Sequence, residues 1–216
     1  MKSSKIIGRI SKVLSLFLKN FSLKMNAFSL KKLSDYMFAI AEKIVIKLQK
    51  ILPLYVKYYE DMIDKEIIAA KISKSDNVVH MGCGPVPSTS ILIAEKIGAN
   101  VTAIDRTSRS VKEATSCIRL LNLNSMVQIK HADALNFPME KFDVIIISHG
   151  IEPRDEMLKY VSRSINDNAR VIFRTFSSGD GEITQHDSLL KNSFKVDKVV
   201  SHENHGLLIS VVLLKK

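Results

Sequence analysis

The 216-residue sequence is poor in the residues that crosslink small proteins. It has no tryptophan and only two cysteines, Cys83 and Cys117. Two thiols are too few for a disulfide framework or a structural zinc site, so they predict reduced side chains in a cytoplasmic protein. A chain of this length buries roughly 70% of its unfolded surface and needs no such crosslinks.

Long apolar runs are also missing. No stretch holds the ~18 uncharged apolar residues that cross a bilayer, and Arg9, Lys12 and Lys19 interrupt what could pass for a signal peptide. The apolar residues near the N-terminus recur at helical spacing, which predicts an amphipathic helix. Its apolar face comprises Ile6, Ile10, Val13, Leu14, Phe17 and Phe21. We expect this face to pack on the rest of the protein, with docking on a membrane surface or a dimer contact as alternatives.

Acidic residues are absent from residues 1–32, which carry eight basic side chains. Residues 1–74 hold 15 Lys plus Arg against 6 Asp plus Glu, whereas the remaining residues hold 17 and 16. This local positive charge favours an anionic partner, for which peripheral contact with a membrane is one interpretation. Nucleic acid is not expected, because the segment lacks glycine-rich and aromatic stacking motifs.

Glycine does not occur between Gly8 and Gly82, so few tight turns are expected in this part. The apolar spacing stays helical to about Ile72, and Pro53 predicts the start of a new helix, because proline is tolerated only in a first turn. Residues 1–74 are therefore predicted to form a basic helical cap, and residues 75–216 a second domain of a different class.

From residue 75 onward, short β-branched runs alternate with helical stretches. This alternation predicts an α/β fold with a mostly parallel sheet, and the last two strands predict an antiparallel hairpin at one edge. Strands are predicted at 77–81, 100–105, 126–130, 142–148, 170–176, 196–201 and 207–214. Helices are predicted at 88–97, 108–121 and 156–165.

The loop after the first predicted strand carries the main chemical signal. Gly82 and Gly84 permit a tight turn and close approach of a ligand. Asp105 ends the second strand, where a carboxylate accepts both hydroxyls of a ribose. Asp133 follows the third strand and is placed to reach an adenine amine. Because Pro87 occupies the third glycine position of the dinucleotide motif, the pattern favours a nucleoside site over a pyrophosphate cradle; a vacant site is the alternative.

The same loop, Gly82–Ser90, reads G-C-G-P-V-P-S-T-S and resembles the G-x-G-P-L-P-x-T-S loop of nicotianamine synthases. Further segments resemble archaeal members of that family, and the likeness spans roughly residues 41 to 176. The segment Leu52–Tyr58 resembles the family's F-P-Y-Y-x-N-Y stretch, with Leu54 in place of a tyrosine and Lys57 in place of the asparagine. The other matching segments are Phe142–Val144, Ile151–Pro153 and Arg170–Phe176.

The resemblance implies a Rossmann-like class I S-adenosylmethionine-dependent methyltransferase fold, with a seven-stranded, mostly parallel sheet, beneath an N-terminal helical cap. It implies that the co-substrate S-adenosylmethionine donates its 3-amino-3-carboxypropyl group to an amine or amino-acid acceptor. Methylthioadenosine would be released, and the product would be a metal-chelating small molecule. The enzyme itself is expected to hold no metal. Neither the acceptor nor the oligomeric state is identified by the sequence.

Candidate site residues follow from the loop and from the resemblance. Glu42 is predicted to be the catalytic base, since Ala41-Glu42 resembles the family's A-E-G stretch, and Tyr58 is predicted to work beside it. Arg174 is predicted to bind a substrate carboxylate. The predicted cofactor-binding residues are Gly82, Gly84, Pro85, Thr89, Asp105, Asp133 and His149.

Each assignment has a structural alternative. Glu42 is otherwise a surface glutamate, Tyr58 a core residue and Arg174 half of a structural ion pair. His202 and His205 lie in a predicted polar turn and are interpreted as loop residues without a metal.

Two rival functions stay open at this stage. One is an ordinary small-molecule methyltransferase that uses the same sheet. The other is a non-catalytic nucleotide-binding module whose basic helices contact a membrane or nucleic acid.

Overall fold

The structure is a computed structural model that describes residues 40, 42–177, 190, 192–202, 205 and 207–216. The predicted amphipathic helix, and with it the question of membrane contact, lies outside these residues. The division into a cap and a second domain at residue 74 stays a prediction.

Seven strands form one sheet in the described chain. They are β1 Asn77–Met81, β2 Asn100–Asp105, β3 Val127–His131, β4 Val144–Ile147, β5 Arg170–Phe176, β6 Phe194–Ser201 and β7 Leu208–Lys215. Their order across the sheet is β3-β2-β1-β4-β5-β7-β6. All neighbours are parallel except β5 with β7 and β6 with β7, which are antiparallel. The predicted seven-stranded sheet with a terminal antiparallel pair is therefore confirmed.

The strand sequences account for a sheet covered on both faces. All four residues of β4 are buried, as expected for a central parallel strand. Alternate residues point to opposite faces, so Ile146 and Ile172 join one apolar cluster while Ile145 and Val171 join the other.

Helices cover these two faces. The first cluster includes residues from the cap helices and the helix after β1, and the second includes residues from the helix after β4. The helices are α1 Leu52–Tyr58, α2 Glu60–Ala70, α3 Ser88–Ile97, α4 Ser108–Leu120 and α5 Arg154–Ser164. A further helical segment covers residues 42–47. Among the described helices, none has the length and apolarity needed to span a membrane. The cytoplasmic location stays a prediction.

The cap differs from the sequence prediction at one point. As expected, Pro53 stands in the first turn of α1. The helix that was predicted to continue to about Ile72 breaks at Tyr59, where the backbone has φ −88° and ψ −2°. Two tyrosines of α1, Tyr55 and Tyr58, therefore lie together with Tyr59 of the break at one corner of the cap.

A buried ion pair joins the cap to the sheet. Glu66 lies on the buried face of α2 and receives hydrogen bonds from Nε and Nη2 of Arg174 on β5, at 2.8 and 2.7 Å. The hydroxyl of Ser210 on β7 donates to the same carboxylate at 2.5 Å. Burial alone would raise the pKa of Glu66, but the Arg174 guanidinium holds it below its usual value. This carboxylate therefore stays ionised and binds α2 to two strands.

We predict that the Glu66→Ala protein is destabilised by about 3–5 kcal/mol, because Arg174 would stay buried without its counter-charge. Chemical denaturation of both proteins would measure the loss. Glu60→Ala provides a matched control on the same helix. Glu60 pairs with Lys96 at 2.9 Å on the surface, where such pairs contribute about 0–1 kcal/mol. Equal effects of the two substitutions would contradict a special role for the buried pair.

Candidate active site

The loop between β1 and α3 has two residues that must be glycine. Gly82 has φ +68° and Gly84 φ +65°, in the left-handed region that side chains rarely adopt. A Cβ on Gly82 would lie 2.8 Å from Cγ1 of Ile151, and one on Gly84 would lie 3.2 Å from Oε1 of Glu42. The cap carboxylate therefore lies directly against the loop.

Asp105 fixes the conformation of this loop. Its Oδ2 accepts a hydrogen bond from the amide of Gly84 at 3.0 Å, and its Oδ1 accepts one from the amide of Thr107 at 2.8 Å. The side chain is half-buried and lines a cavity at this edge of the sheet. The carboxylate predicted to bind ribose thus also holds the conformation of the loop.

A cavity of about 270 Å³ opens at this edge of the sheet. Its wall contains Gly82, Asp105 and Asp133, three of the predicted cofactor-binding residues. Asp133 is exposed, and its Oδ1 accepts a hydrogen bond from the amide of Leu135 at 3.0 Å. The wall is completed by Ile104, Arg106, Thr107, Ser110, Ala132, Ala134, Leu135, Gly150, Ile151, Glu152 and Met157. Carboxylates beside apolar walls fit a nucleoside, with hydroxyls at one end and a flat base at the other.

The other predicted cofactor residues flank this cavity. Thr89 is buried in the first turn of α3, and Pro85 is half-buried in the loop before it. His149 follows β4 and packs edge-on against Phe176, with ring centroids 5.8 Å apart. Its carbonyl accepts a hydrogen bond from Arg154 at 2.6 Å. The cofactor roles of these three residues stay predictions.

His80 secures the strand that leads into the loop. Its ring is buried between the hydroxyls of Ser90, 2.9 Å from Nδ1, and Ser148, 3.0 Å from Nε2. Burial lowers the pKa of His80 to about 3, so the ring is neutral and can donate to one serine and accept from the other. This link fixes the end of β4 and the start of α3 on either side of β1.

Glu42 is the titratable group that stands out near the loop. Burial raises its pKa to about 7, with further contributions from the negative charges of Asp105 and Glu113. A carboxyl with this pKa is half ionised near neutral pH, which suits exchange of a proton with a bound ligand. The structure thus brings Glu42 to the loop, although its catalytic role stays a prediction.

The tyrosines of the cap lie beside Glu42. The hydroxyls of Tyr55 and Tyr59 are 3.1 Å apart. Burial raises the pKa of both phenols, and the charge of Glu42 raises them further. Tyr58, the tyrosine chosen from the sequence, packs its ring against Tyr59 with centroids 5.2 Å apart. The sequence analysis therefore missed the hydroxyl pair. The signal for it was the spacing of four residues between Tyr55 and Tyr59, which places two side chains on the same face of a helix.

Arg174 is held by Glu66 as described above, so a role in binding a substrate carboxylate stays a prediction. His202 and His205 lie in the connection between β6 and β7, as interpreted from the sequence, but their side chains pack against other parts of the protein. His202 is buried with Nε2 2.8 Å from the hydroxyl of Ser210, and His205 packs against the cap tyrosines. Within the described ranges, no cluster of three or more metal-ligating side chains is present.

The sequence matches the model of a known protein family over nearly its whole length. The family model described as "Nicotianamine synthase protein" matches residues 8–216. The chain belongs to the nicotianamine synthase family. Its membership confirms the resemblance noted in the loop and agrees with a transferase that uses S-adenosylmethionine as its co-substrate.

Solved structures of similar proteins support the fold assigned to this member of the nicotianamine synthase family. A glutamate-to-glutamine mutant of MtNAS in complex with S-adenosylmethionine is similar with a TM-score of 0.70 and 20% identity, over 81% of this chain and 70% of that chain. MtNAS in complex with MTA and tNA gives the same TM-score and identity. A protein from Methanococcus maripaludis, described as a putative S-adenosylmethionine-dependent methyltransferase, has a TM-score of 0.65 and 16% identity, over 81% of this chain and 92% of that one. The predicted methyltransferase-type fold is thereby confirmed.

A curated relative matches only in part. The demethylmenaquinone methyltransferase of Lactobacillus johnsonii is 28% identical over 108 residues. The match covers 47% of this chain and 44% of the relative, so the chain spans less than half of the length of that protein.

We predict that Asp105→Ala weakens binding of S-adenosylmethionine by about 1.5–3 kcal/mol, or roughly 10- to 100-fold in Kd, because ribose hydroxyls would lose a charged acceptor. Calorimetry would measure the change. Asp143→Ala is a suitable control, since Asp143 also accepts a backbone amide, that of Asn77 at 2.8 Å, at the opposite end of the sheet. Unchanged affinity in the Asp105→Ala protein would remove Asp105 from the site.

Proposed function

We propose that this nicotianamine synthase family member transfers the 3-amino-3-carboxypropyl group of S-adenosylmethionine to the amine of a small-molecule acceptor. The observation that carries the proposal is the position of Glu42, which lies 3.2 Å from the Cβ position of Gly84 in the cofactor loop. The family match over residues 8–216 supports the same reaction class. Two complexes of the similar protein MtNAS, one with S-adenosylmethionine and one with MTA and tNA, agree with it.

The reaction needs a base because the acceptor amine is protonated at neutral pH. Glu42 takes one proton from that ammonium group. The nitrogen lone pair then attacks the methylene carbon next to sulfur in the aminocarboxypropyl chain. The carbon–sulfur bond breaks and its electron pair returns to the sulfonium, which leaves as the neutral thioether of methylthioadenosine. The nitrogen becomes a secondary ammonium group, which stays protonated at neutral pH, and Glu42 releases the proton that it took to solvent.

The environment of Glu42 suits this task. Its pKa of about 7 leaves a large ionised fraction at neutral pH while the carboxyl is still basic enough to take a proton. Tyr55 and Tyr59 present a hydrogen-bonded pair of hydroxyls within the field of this carboxylate. We assign these hydroxyls, together with Tyr58, to orienting the acceptor amine between the cap and the loop.

The nucleoside product tests the reaction. We predict that incubation with S-adenosylmethionine and amino-acid acceptors releases methylthioadenosine, detected by mass spectrometry. The donor has three carbons attached to one sulfonium, so orientation alone decides which carbon reacts. Release of S-adenosylhomocysteine with a methylated acceptor would contradict the proposal and favour the methyltransferase rival.

We also predict that Glu42→Gln slows turnover by ~10²–10⁴-fold while leaving the Kd for S-adenosylmethionine within a few-fold of wild type, because the base serves the acceptor. In the wild type, kcat/KM for S-adenosylmethionine should rise with pH through a midpoint near 7. In Glu42→Gln this rise with pH should be absent. Normal turnover of the variant would leave the reaction intact and exclude Glu42 as the base.

The same carboxyl gives an independent stability readout. The pKa of Glu42 in the folded protein is raised above its unfolded value of 4.5. The contribution of this carboxyl to the free energy of unfolding is therefore fully present below pH 4.5 and is lost as the pH rises through 7. Glu42→Gln should therefore melt above wild type at pH 8, and this advantage should vanish near pH 5. A melting difference that does not change with pH would show that Glu42 is not desolvated.

A further inference from the structure

Arg154 is the first residue of α5, and its guanidinium bridges the ends of two strands. Nη1 donates to the carbonyl of His149, which follows β4, at 2.6 Å. Nη2 donates to the carbonyl of Arg174 near the end of β5. The guanidinium also lies over the ring of Phe173, with Cζ 4.5 Å from the ring centroid. Three contacts therefore hold this half-buried side chain in one place.

The bridge lies where the pairing of β4 with β5 ends. The last paired residues are Ile147 and Phe173, and β5 continues to Phe176 after β4 has ended. A carbonyl beyond the end of a strand pair can no longer receive an N–H from that neighbour, yet it still needs a donor when it is shielded from water. The planar fork of a guanidinium offers several N–H groups, so one arginine can satisfy two carbonyls on two strands.

Helix stability does not explain an arginine at this position. A cation in the first turn meets the positive end of the helix dipole, where acidic side chains are favoured. Asp155 and Glu156, which follow directly in this turn, agree with that preference. Partial burial of a guanidinium also has a desolvation cost that an apolar side chain would not have. The two carbonyl contacts are therefore what the arginine provides here.

The bridge fixes one side of a segment that forms a wall of the cavity suited to a nucleoside. Residues 148–153 join β4 to α5, and three of them line this cavity of about 270 Å³. On the side of β1, the hydroxyl of Ser148 lies 3.0 Å from Nε2 of His80. On the side of β5, Arg154 holds the carbonyl of His149. The wall is thus anchored toward both neighbouring strands, and the guanidinium is an anchor toward β5.

We infer that Arg154 is a positioning residue, which sets this wall of the nucleoside cavity by tying residues 148–153 to β5. It acts on S-adenosylmethionine through the wall and takes no part in proton transfer. The inference goes beyond the proposed function, since it concerns binding of the nucleoside and holds whichever carbon of the sulfonium reacts. It rests on placing the nucleoside in this cavity, which the Asp105→Ala measurement tests separately.

The test is Arg154→Met in the full chain, which keeps an unbranched apolar stem and removes both donors. We expect the Kd for S-adenosylmethionine to rise roughly tenfold, because the wall can then shift away from the nucleoside. The Kd for methylthioadenosine should rise by the same factor, since both molecules contain the nucleoside. Calorimetry measures both constants without turnover. In steady-state kinetics, kcat should change much less than the KM for S-adenosylmethionine.

Arg170→Met is the matched control, because Arg170 also bridges two carbonyls with one guanidinium. Its Nη1 donates to the carbonyls of Ala70 and Lys71 at 2.9 and 2.8 Å. Both substitutions should lower the melting temperature, since each leaves carbonyls without a donor. Only Arg154→Met should weaken binding of S-adenosylmethionine, because Arg170 begins β5 at the end of the strand away from the cavity.

Two further variants decide the question if Arg154→Met does not fold. Arg154→Lys retains a cation beside Phe173 but lacks the planar fork, so its affinity for S-adenosylmethionine should stay below that of wild type. In Arg154→Ala, added ethylguanidinium should restore part of the affinity, because its N–H groups can take the place of the missing donors. The same additive should leave the affinity of wild type unchanged.

Four outcomes would overturn the inference. They are wild-type affinity for both nucleosides in Arg154→Met, wild-type affinity in Arg154→Lys, equal losses of affinity in Arg154→Met and Arg170→Met, and a loss confined to S-adenosylmethionine. Each of them leaves the proposed reaction standing, because binding is measured without turnover. Unchanged affinity in Asp105→Ala would instead remove the nucleoside from the cavity, and this inference would fail with that placement.

Discussion

The arrangement of the active site depends on the ion pair of Glu66 and Arg174. Removing two charges from water is costly, and the cost is offset only when their hydrogen bonds are complete. Here the carboxylate receives two bonds from Arg174 and one from Ser210, so a shift of α2 along the sheet would leave buried charges unpaired. The pair therefore fixes the register between cap and sheet. That register places the start of α2, which directly follows the break at Tyr59.

Fixing the register allows two carboxylates near one loop to take different roles. Asp105 accepts two backbone amides and holds the loop in the left-handed turn at Gly84. Glu42 lies on the other side of that glycine, and in the described chain no hydrogen-bond donor reaches it. Desolvation and the negative charge of Asp105 then raise its pKa to about 7. Environment, more than residue type, thus separates the two carboxylates, one proposed to hold the ligand and the other to accept a proton.

Much of the sheet and the loop could be predicted from local patterns. Continuous Val and Ile runs set the central strands, and β5 begins and ends at the predicted residues, Arg170 and Phe176. The glycine loop and Asp105 were recognisable because a parallel sheet collects its functional residues at the carboxyl ends of its strands. These features depend on residues close together in sequence or on one repeated topology.

The cap contacts could not be predicted in the same way. Glu66 lies on the buried face of α2 together with Met62, Ile63, Ala69 and Ala70. A single acidic residue on an apolar helix face predicts a buried partner, but the sequence does not identify that partner. Its partner Arg174 lies more than a hundred residues away along the chain. His205 was equally hidden, since a polar turn predicts exposure and only the tertiary fold places its ring against α1.

These contacts also bear on which carbon of the sulfonium reacts. The sheet has the same fold as a protein described as a putative methyltransferase, so the fold does not select between methyl and methylene. Selection must come from where the nucleophile and its base stand. In this chain the proposed base, Glu42, belongs to the cap, and the Glu66–Arg174 pair joins the cap to the sheet away from the loop. The same sheet can therefore serve a different reaction when different helices cover it.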